Sequence, residues 1–210
     1  MSASITVPAH SSIRIEGSVC ARFDPYLMKD APRDADIVLI THSHHDHFSP
    51  EDIEKAAKPG AIYVCPKDLP PKLLELGVDP SHIISMDPGE KADVLGTTVE
   101  AVPAYNVLKP FHPKRNRWLG YVLTLDGTRY YVCGDTDATA EAKSVSCDVL
   151  LVPAGGKYTM NAKDAAGLAN TIHPATAIPT HYGSIVGSGE DGETFRSLVS
   201  SDIQVELQIR

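Results

Sequence analysis

"DIVLITHSHHDHF", residues 36–48, joins a short β-branched apolar run to four histidines and an aspartate packed into six consecutive positions. An apolar run with no polar alternation, 37–40, predicts a strand covered on both faces. Such a strand carries the histidines to an edge of the core. Neither regular element gathers them all: on a strand His42, His44 and Asp46 share a face while His47 points away, and on a helix His42 and His44 diverge by about 200°. A loop leaving the strand end can gather them, and loops held by rigid strands are where functional groups sit. Imidazole and carboxylate with no thiolate nearby suit zinc, manganese or iron, and they favour a catalytic over a structural site.

Working outward, short apolar runs alternate with turn signals. "SIRIEG" (12–17) and "VCARFDPY" (19–26) read as paired strands before a turn at Asp24-Pro25. After the histidines, Ser49 is an N-cap and Pro50 a first helical residue, which starts a helix in "SPEDIEKAAK" that Gly60 ends. "AIYVC" (61–65), the helix "LPPKLLELG" and the strand "HIISMD" continue the alternation. Then come "KADVLGTTVEAVPAY" with a turn at Leu95-Gly96, and "WLGYVLTLDGTRYYVCGD", a hairpin around Asp126-Gly127. "DVLLVPAG" is a buried strand, "NAKDAAGLANTIHP" a helix stopped by Pro174, "TAIPTHYG" a strand, 190–200 a helix and "IQVELQI" the last strand. Two strand sets with interspersed helices predict two sheets packed face to face with helices outside; periodicity alone also allows a mixed single-sheet α/β fold. No repeat or Gly/Ser linker divides the chain, so one domain over 1–210 is expected.

The formal charge of −8 opposes a broad nucleic-acid footprint and leaves a small-molecule substrate as the default partner. No stretch approaches the roughly 18 apolar residues of a membrane span, and "MSASITVPAHSS" has no export signal. Cys20, Cys65, Cys133 and Cys147 are widely spaced and read as buried thiols, so a cytoplasmic location is expected. Oligomeric state is left open.

His42-Ser43-His44-His45-Asp46-His47 resembles the H-x-H-x-D-H motif of the metallo-β-lactamase-fold hydrolase superfamily. "GDTD" (134–137) resembles its metal-bridging aspartate motif, "PTHYGS" (179–184) its last histidine motif, and Asp36 its support aspartate. The surrounding wording is similar to a compact branch related to ascorbate-6-phosphate lactonase-like proteins. The resemblance implies a four-layer αββα sandwich of two mixed β-sheets with the site at one edge. It also implies one or two divalent ions, zinc first and manganese or iron as alternatives. His42 and His44 would hold the first ion, Asp46, His47 and His181 the second, and Asp135 would bridge them; Asp46 and Asp135 would orient a hydroxide generated on the metal. His45 fills the variable position. Superfamily members commonly add a further first-metal histidine; here Tyr105-Asn106 stand where it is expected, so either that site is weakened or His112 reaches in.

"LKPFHPKRNRW" gathers Lys109, Lys114, Arg115 and Arg117, from which Lys114 and Arg115 are candidate anion contacts, with a solvated loop as the alternative. Tyr182 is a candidate oxyanion donor or a packing residue; Asp24 orients a ligand or simply forms a turn. His10 and His173, without neighbours of their kind, read as surface residues. The expected activity is hydrolysis of a small ester, lactone or phosphoester. The alternatives are a non-haem di-iron redox protein and a non-catalytic metal-binding or regulatory protein on the same scaffold.

Overall fold

The computed structural model describes residues 3–209. Six strands form the first sheet in sequence order: β1 (Ser4–Ala9), β2 (Ser12–Glu16), β3 (Cys20–Phe23), β4 (Ala35–Leu39), β5 (Ala57–Pro66) and β6 (Ile83–Met86). Seven form the second: β7 (Lys91–Val94), β8 (Thr97–Pro103), β9 (Leu119–Leu125), β10 (Thr128–Val132), β11 (Val149–Pro153), β12 (Thr176–Thr180) and β13 (Gln204–Val205). Each sheet opens as an antiparallel meander and finishes with parallel strands, so both are mixed. The helices are α1 (Pro50–Ala56), α2 (Pro70–Glu75), α3 (Ala140–Lys143), α4 (Ala162–Ile172) and α5 (Gly189–Leu198).

Side-chain alternation assigns the layers. In β4, Ile37 and Leu39 enter the core between the sheets, where they meet Val99, Tyr121 and Leu151 from the second sheet. Val38 and the following Ile40 point the other way, onto Phe48, Ile53, Leu69 and Leu73 around α1 and α2. The uninterrupted apolar run therefore reflects a strand buried on both faces. On the far side, Tyr131, Leu150 and Val152 pack against Ala165 and Leu168 of α4 and Phe195 of α5. The result is the expected αββα order, not the single-sheet alternative.

Several boundaries differ from the sequence reading. α1 stops at Ala56, and β5 begins at Ala57, ahead of Pro59-Gly60, because a register irregularity beside Ala35–Ile37 absorbs those residues within the strand. β1 and α3 were not foreseen, and the last strand shrinks to two residues. The hairpin turn behaves as its residues require, with both Asp126 (φ +51°) and Gly127 (φ +81°) in the left-handed region. Among the described residues, no helix is long and apolar enough to cross a membrane.

Candidate metal centre

Strand direction brings the site together. Two antiparallel steps from β1 through β2 to β3 make β1 and β3 run the same way, and β4 lies parallel to β3. Two such steps from β8 through β9 to β10 align β8 with β10, β11 and β12. The residues that leave these C-terminal ends meet at one edge: His10 after β1, Asp24 after β3, His42 to His47 after β4, His112 in the loop after β8, Asp135 after β10 and His181 after β12. Open sheets place ligand sites at the carboxyl ends of parallel strands for the same reason.

Two groups of nitrogen and oxygen atoms result, joined by a third that His42, His47 and Asp135 make across them. His42, His44 and His112 form one; His10, Asp46, His47 and His181 form the other; ligand atoms within each group lie within 4.8 Å of one another. Asp135 reaches both. Its Oδ2 is 3.2 Å from His112 Nε2 and 3.1 Å from His181 Nε2, and its Oδ1 is 3.3 Å from His47 Nε2. Spacings near 3.3 Å are those of atoms bound at about 2.0–2.2 Å around one tetrahedral ion.

The supports are short and local. Asp24 accepts from Thr41 N (2.8 Å) and Thr41 Oγ1 (2.6 Å) and holds His47 Nδ1 at 2.7 Å, which leaves His47 Nε2 facing the cluster. Trp118 packs at 4.8 Å and 4.9 Å ring-centre separation from His42 and His44, its Nε1 donating to Asp68. Asn106 donates its backbone N–H to the His112 carbonyl and its amide to the carbonyls of Phe111 and Tyr158, which carries His112 inward. Gly134, at φ +64°, precedes Asp135; a Cβ there would lie 2.7 Å from the Leu119 carbonyl oxygen. His10, Asp24, His112 and His181 all have φ between +43° and +57°, each costing about 1 kcal/mol or more, and backbone strain of this kind gathers at functional sites.

The electrostatics differ across the site, with His10 lowered by burial like the rings of the first group. Burial pushes the His42 imidazole well below its ordinary value, and His47 adds to this; burial and His112 lower His44. Those rings are neutral, as metal ligation requires. In the second group burial opposes charge on His181, but Asp135 and Asp46 push its imidazole up to about 10. Burial alone would raise Asp135; the His181 and His47 imidazoles instead hold it well below the usual carboxylate range. That region attracts positive charge.

A divalent cation fits these residues. His47 Nε2, Asp135 Oδ1 and His181 Nε2 are buried with no hydrogen-bond partner among the described residues. Buried polar atoms are nearly always partnered, and an ion among the three supplies what is missing.

The structure thus gathers His42, His44, Asp46, His47, Asp135 and His181, and it brings His112 to them. His45 lies at the pocket rim with its side chain 80% exposed. Four expectations are corrected. Asp36 accepts from Cys20 N and Lys58 Nζ near the start of β4, roughly 17 Å of strand from the site, and Asp24 occupies the supporting position. His10 is fully buried against Asp46, not on the surface; it was overlooked because β1, which delivers it, was not recognised. Tyr182 is buried, with its hydroxyl against Gly192 of α5 and 3.5 Å from the Ile209 carbonyl, so it faces away from the pocket. Lys114 is engaged by Glu141 and Tyr105, and neither it nor exposed Arg115 lines the pocket. His173, paired with Asp202, is on the surface as read.

The chain resembles known proteins along nearly its whole length. Residues 4–181 match the beta-lactamase superfamily domain. A UPF0173 metal-dependent hydrolase of Thermococcus onnurineus is 30% identical, covering 93% of this chain and 92% of the relative. A solved structure from Parabacteroides distasonis superposes with a TM-score of 0.82 at 29% identity, over 99% of this chain and 94% of that one. Igni18, a metallo hydrolase of Ignicoccus hospitalis, shares the fold with a TM-score of 0.76 at 24% identity, over 99% and 95% of the two chains. With the histidine motif, the position of Asp135 between the two side-chain groups and the αββα layers already in hand, these matches establish that the chain belongs to the beta-lactamase superfamily and, within it, to the UPF0173 metal-dependent hydrolases.

Proposed function

We propose that this chain is a metal-dependent hydrolase acting on a small, uncharged ester or lactone. One observation carries the choice of substrate: a cavity of about 240 Å³ has His44, Asp46, His112, Asp135 and His181 as its floor and Phe111, Tyr158 and Ile185 as its walls. Its volume sits below the usual range for drug-sized ligands, about 300–1,000 Å³. No lysine or arginine is among its described lining residues. Three of the nearby cations are engaged elsewhere, Lys109 by Asp137, Lys114 by Glu141 and Arg117 by Asp87, while Lys157 lies over the Tyr158 ring at 4.9 Å. A phosphoester would find no lysine or arginine among the described residues that line this cavity. A larger depression of about 720 Å³, bordered by Val107, Lys109 and Lys163, lacks the histidine floor and any acid–base pair of this kind.

His42, His44 and His112 would hold one ion and Asp46, His47 and His181 the other, with Asp135 within reach of both groups. When bound, a divalent cation acidifies water toward neutral pH and polarises the substrate's oxygen as a Lewis acid. The chain's own groups do the rest. Asp24 keeps the proton of His47 on Nδ1 and its Nε2 lone pair toward the site. Asp46 Oδ1, the oxygen that does not contact His10, would be an acceptor for a hydrogen bond that orients water at the site. Phe111 and Tyr158, edge to face at 4.8 Å, form an apolar wall that orients the substrate's hydrocarbon side and excludes bulk water.

The test is turnover by metal-loaded protein on a panel of small lactones, carboxylic esters and phosphodiesters, with Asp135→Asn as control. Lactone or ester hydrolysis that disappears in the variant is expected. Turnover confined to phosphodiesters refutes the substrate class, and no metal-dependent turnover on any member refutes the hydrolase reading.

A further inference from the structure

His10, like His112, belongs to none of the motifs in the sequence, and unlike His112 it has no place in the ligand sets given above. It leaves β1 at φ +52° with its side chain fully buried, a costly conformation for a non-glycine residue. Its contacts converge on two residues from different sheets. Nε2 is 3.0 Å from Asp46 Oδ2, in the loop after β4. Its carbonyl accepts the backbone N–H of His181, at the end of β12, at 2.9 Å, and the two rings lie 3.8 Å apart. Ser184 Oγ is 3.3 Å from His10 Nδ1.

These contacts define a proton arrangement. A carboxylate is an acceptor only, so the atom facing Asp46 carries the hydrogen, His10 Nε2–H. Nδ1 is then the acceptor, which the Ser184 hydroxyl can satisfy. Asp46 Oδ2 is also the oxygen facing the second ligand group, 3.7 Å from both His47 Nε2 and His181 Nε2. Each carboxylate oxygen has two lone pairs, so Oδ2 can accept from His10 and still present a lone pair inward.

We propose that His10 is a positioning residue for the second metal site: Nε2–H fixes the Asp46 carboxylate, while the His10 carbonyl fixes the backbone of His181. A turn between two N-terminal strands thereby presets two ligands contributed by opposite sheets. The inference rests on the ligand assignment given above. Direct ligation by His10 is the competing role, since its Nε2 is within 4.8 Å of the other ligand atoms of its group. The 3.0 Å contact to Asp46 favours a donor.

Co²⁺ titration of the metal-free protein, followed by visible absorption, separates these roles in wild type, His10→Ala and His10→Gln. Loss of an orienting partner typically weakens metal binding about 10–100-fold, so His10→Ala should bind the second Co²⁺ more weakly by that factor with the first unaffected. His10→Gln, which keeps an N–H donor, should recover most of the affinity and reproduce the wild-type spectrum at saturation. Wild-type affinity in His10→Ala overturns the proposal. So does a His10→Gln protein that stays weak and shows an altered saturated spectrum, the mark of a lost direct ligand. A wild-type protein that binds no Co²⁺ overturns the ligand assignment itself, which distinguishes that failure from a failure of His10 alone.

Discussion

Replacing Asp24 separates its structural duty from its control of the His47 tautomer. The carboxylate is 1% exposed and receives three contacts, from Thr41 N, Thr41 Oγ1 and His47 Nδ1. In Asp24→Ala the Thr41 hydroxyl can turn to His42 Nδ1, 3.0 Å away, and its oxygen can still accept from His47 Nδ1 at 3.3 Å, but Thr41 N loses its acceptor. One buried donor left unsatisfied costs about 1–3 kcal/mol, and His47 exchanges a charged acceptor for a hydroxyl, so a loss of roughly 2 kcal/mol is expected. Asp24→Asn behaves differently. Its Oδ1 still accepts from Thr41 N, and its NH₂ can donate to His47 Nδ1 and Thr41 Oγ1, so every group remains partnered and stability changes by less than about 1 kcal/mol. The penalty moves to the metal. His47 must then carry its proton on Nε2, the atom turned toward Asp135, where it blocks a ligand lone pair. An affinity loss of about 10–100-fold at the second site is expected, the usual cost of disturbing a ligand's orienting partner. Urea unfolding of the metal-free proteins and chelator-competed Zn²⁺ titration measure the two effects. Wild-type Zn²⁺ affinity in a folded Asp24→Asn protein would refute tautomer control by Asp24.

Two further outcomes test the frame around the site. Asp34 receives Arg22 and Arg14; burial would raise its carboxyl, but the two guanidiniums outweigh burial and its pKa is lowered. A depressed carboxylate stabilises the fold fully above its unfolded pKa of about 3.9 and loses that contribution as pH falls through the folded value, so the urea-stability gap between wild type and Asp34→Asn should be constant from about pH 5 to 7 and shrink below about pH 4; a gap that grows in acid contradicts this. Gly134→Ala places its Cβ 2.7 Å from a carbonyl oxygen at positive φ and should cost roughly 2–4 kcal/mol, whereas Gly60→Ala, at φ +81° with nothing within 4 Å, should cost only about 1 kcal/mol; equal melting shifts would remove the steric argument.

Legibility in the sequence followed the range of the interactions. Ile37 to Ile40 announced a strand buried on both faces because alternation is a local property of the backbone. The 42–47 motif announced a cation site because six adjacent residues on one loop must share a neighbourhood. Asp126-Gly127 announced its hairpin through the conformations those residues tolerate. By contrast, β5 continued through Pro59-Gly60 because pairing with β4 outweighed two local breakers. Lys114 looked available to an anion until folding set it beside Glu141, 27 positions away in the chain.

The sequence by itself determined the donor chemistry: which imidazoles and carboxylates exist, and that His42 to His47 leave a buried strand together. Only the tertiary structure decided which distant residues complete the cluster. His10, Asp24 and His112 enter because β1, β3 and β8 end at the same edge as β4, whereas Asp36, at the other end of β4, cannot. Strand direction is set by pairing across the sheet and sheet packing by the shared core, and neither is encoded in the residues next to the ligands.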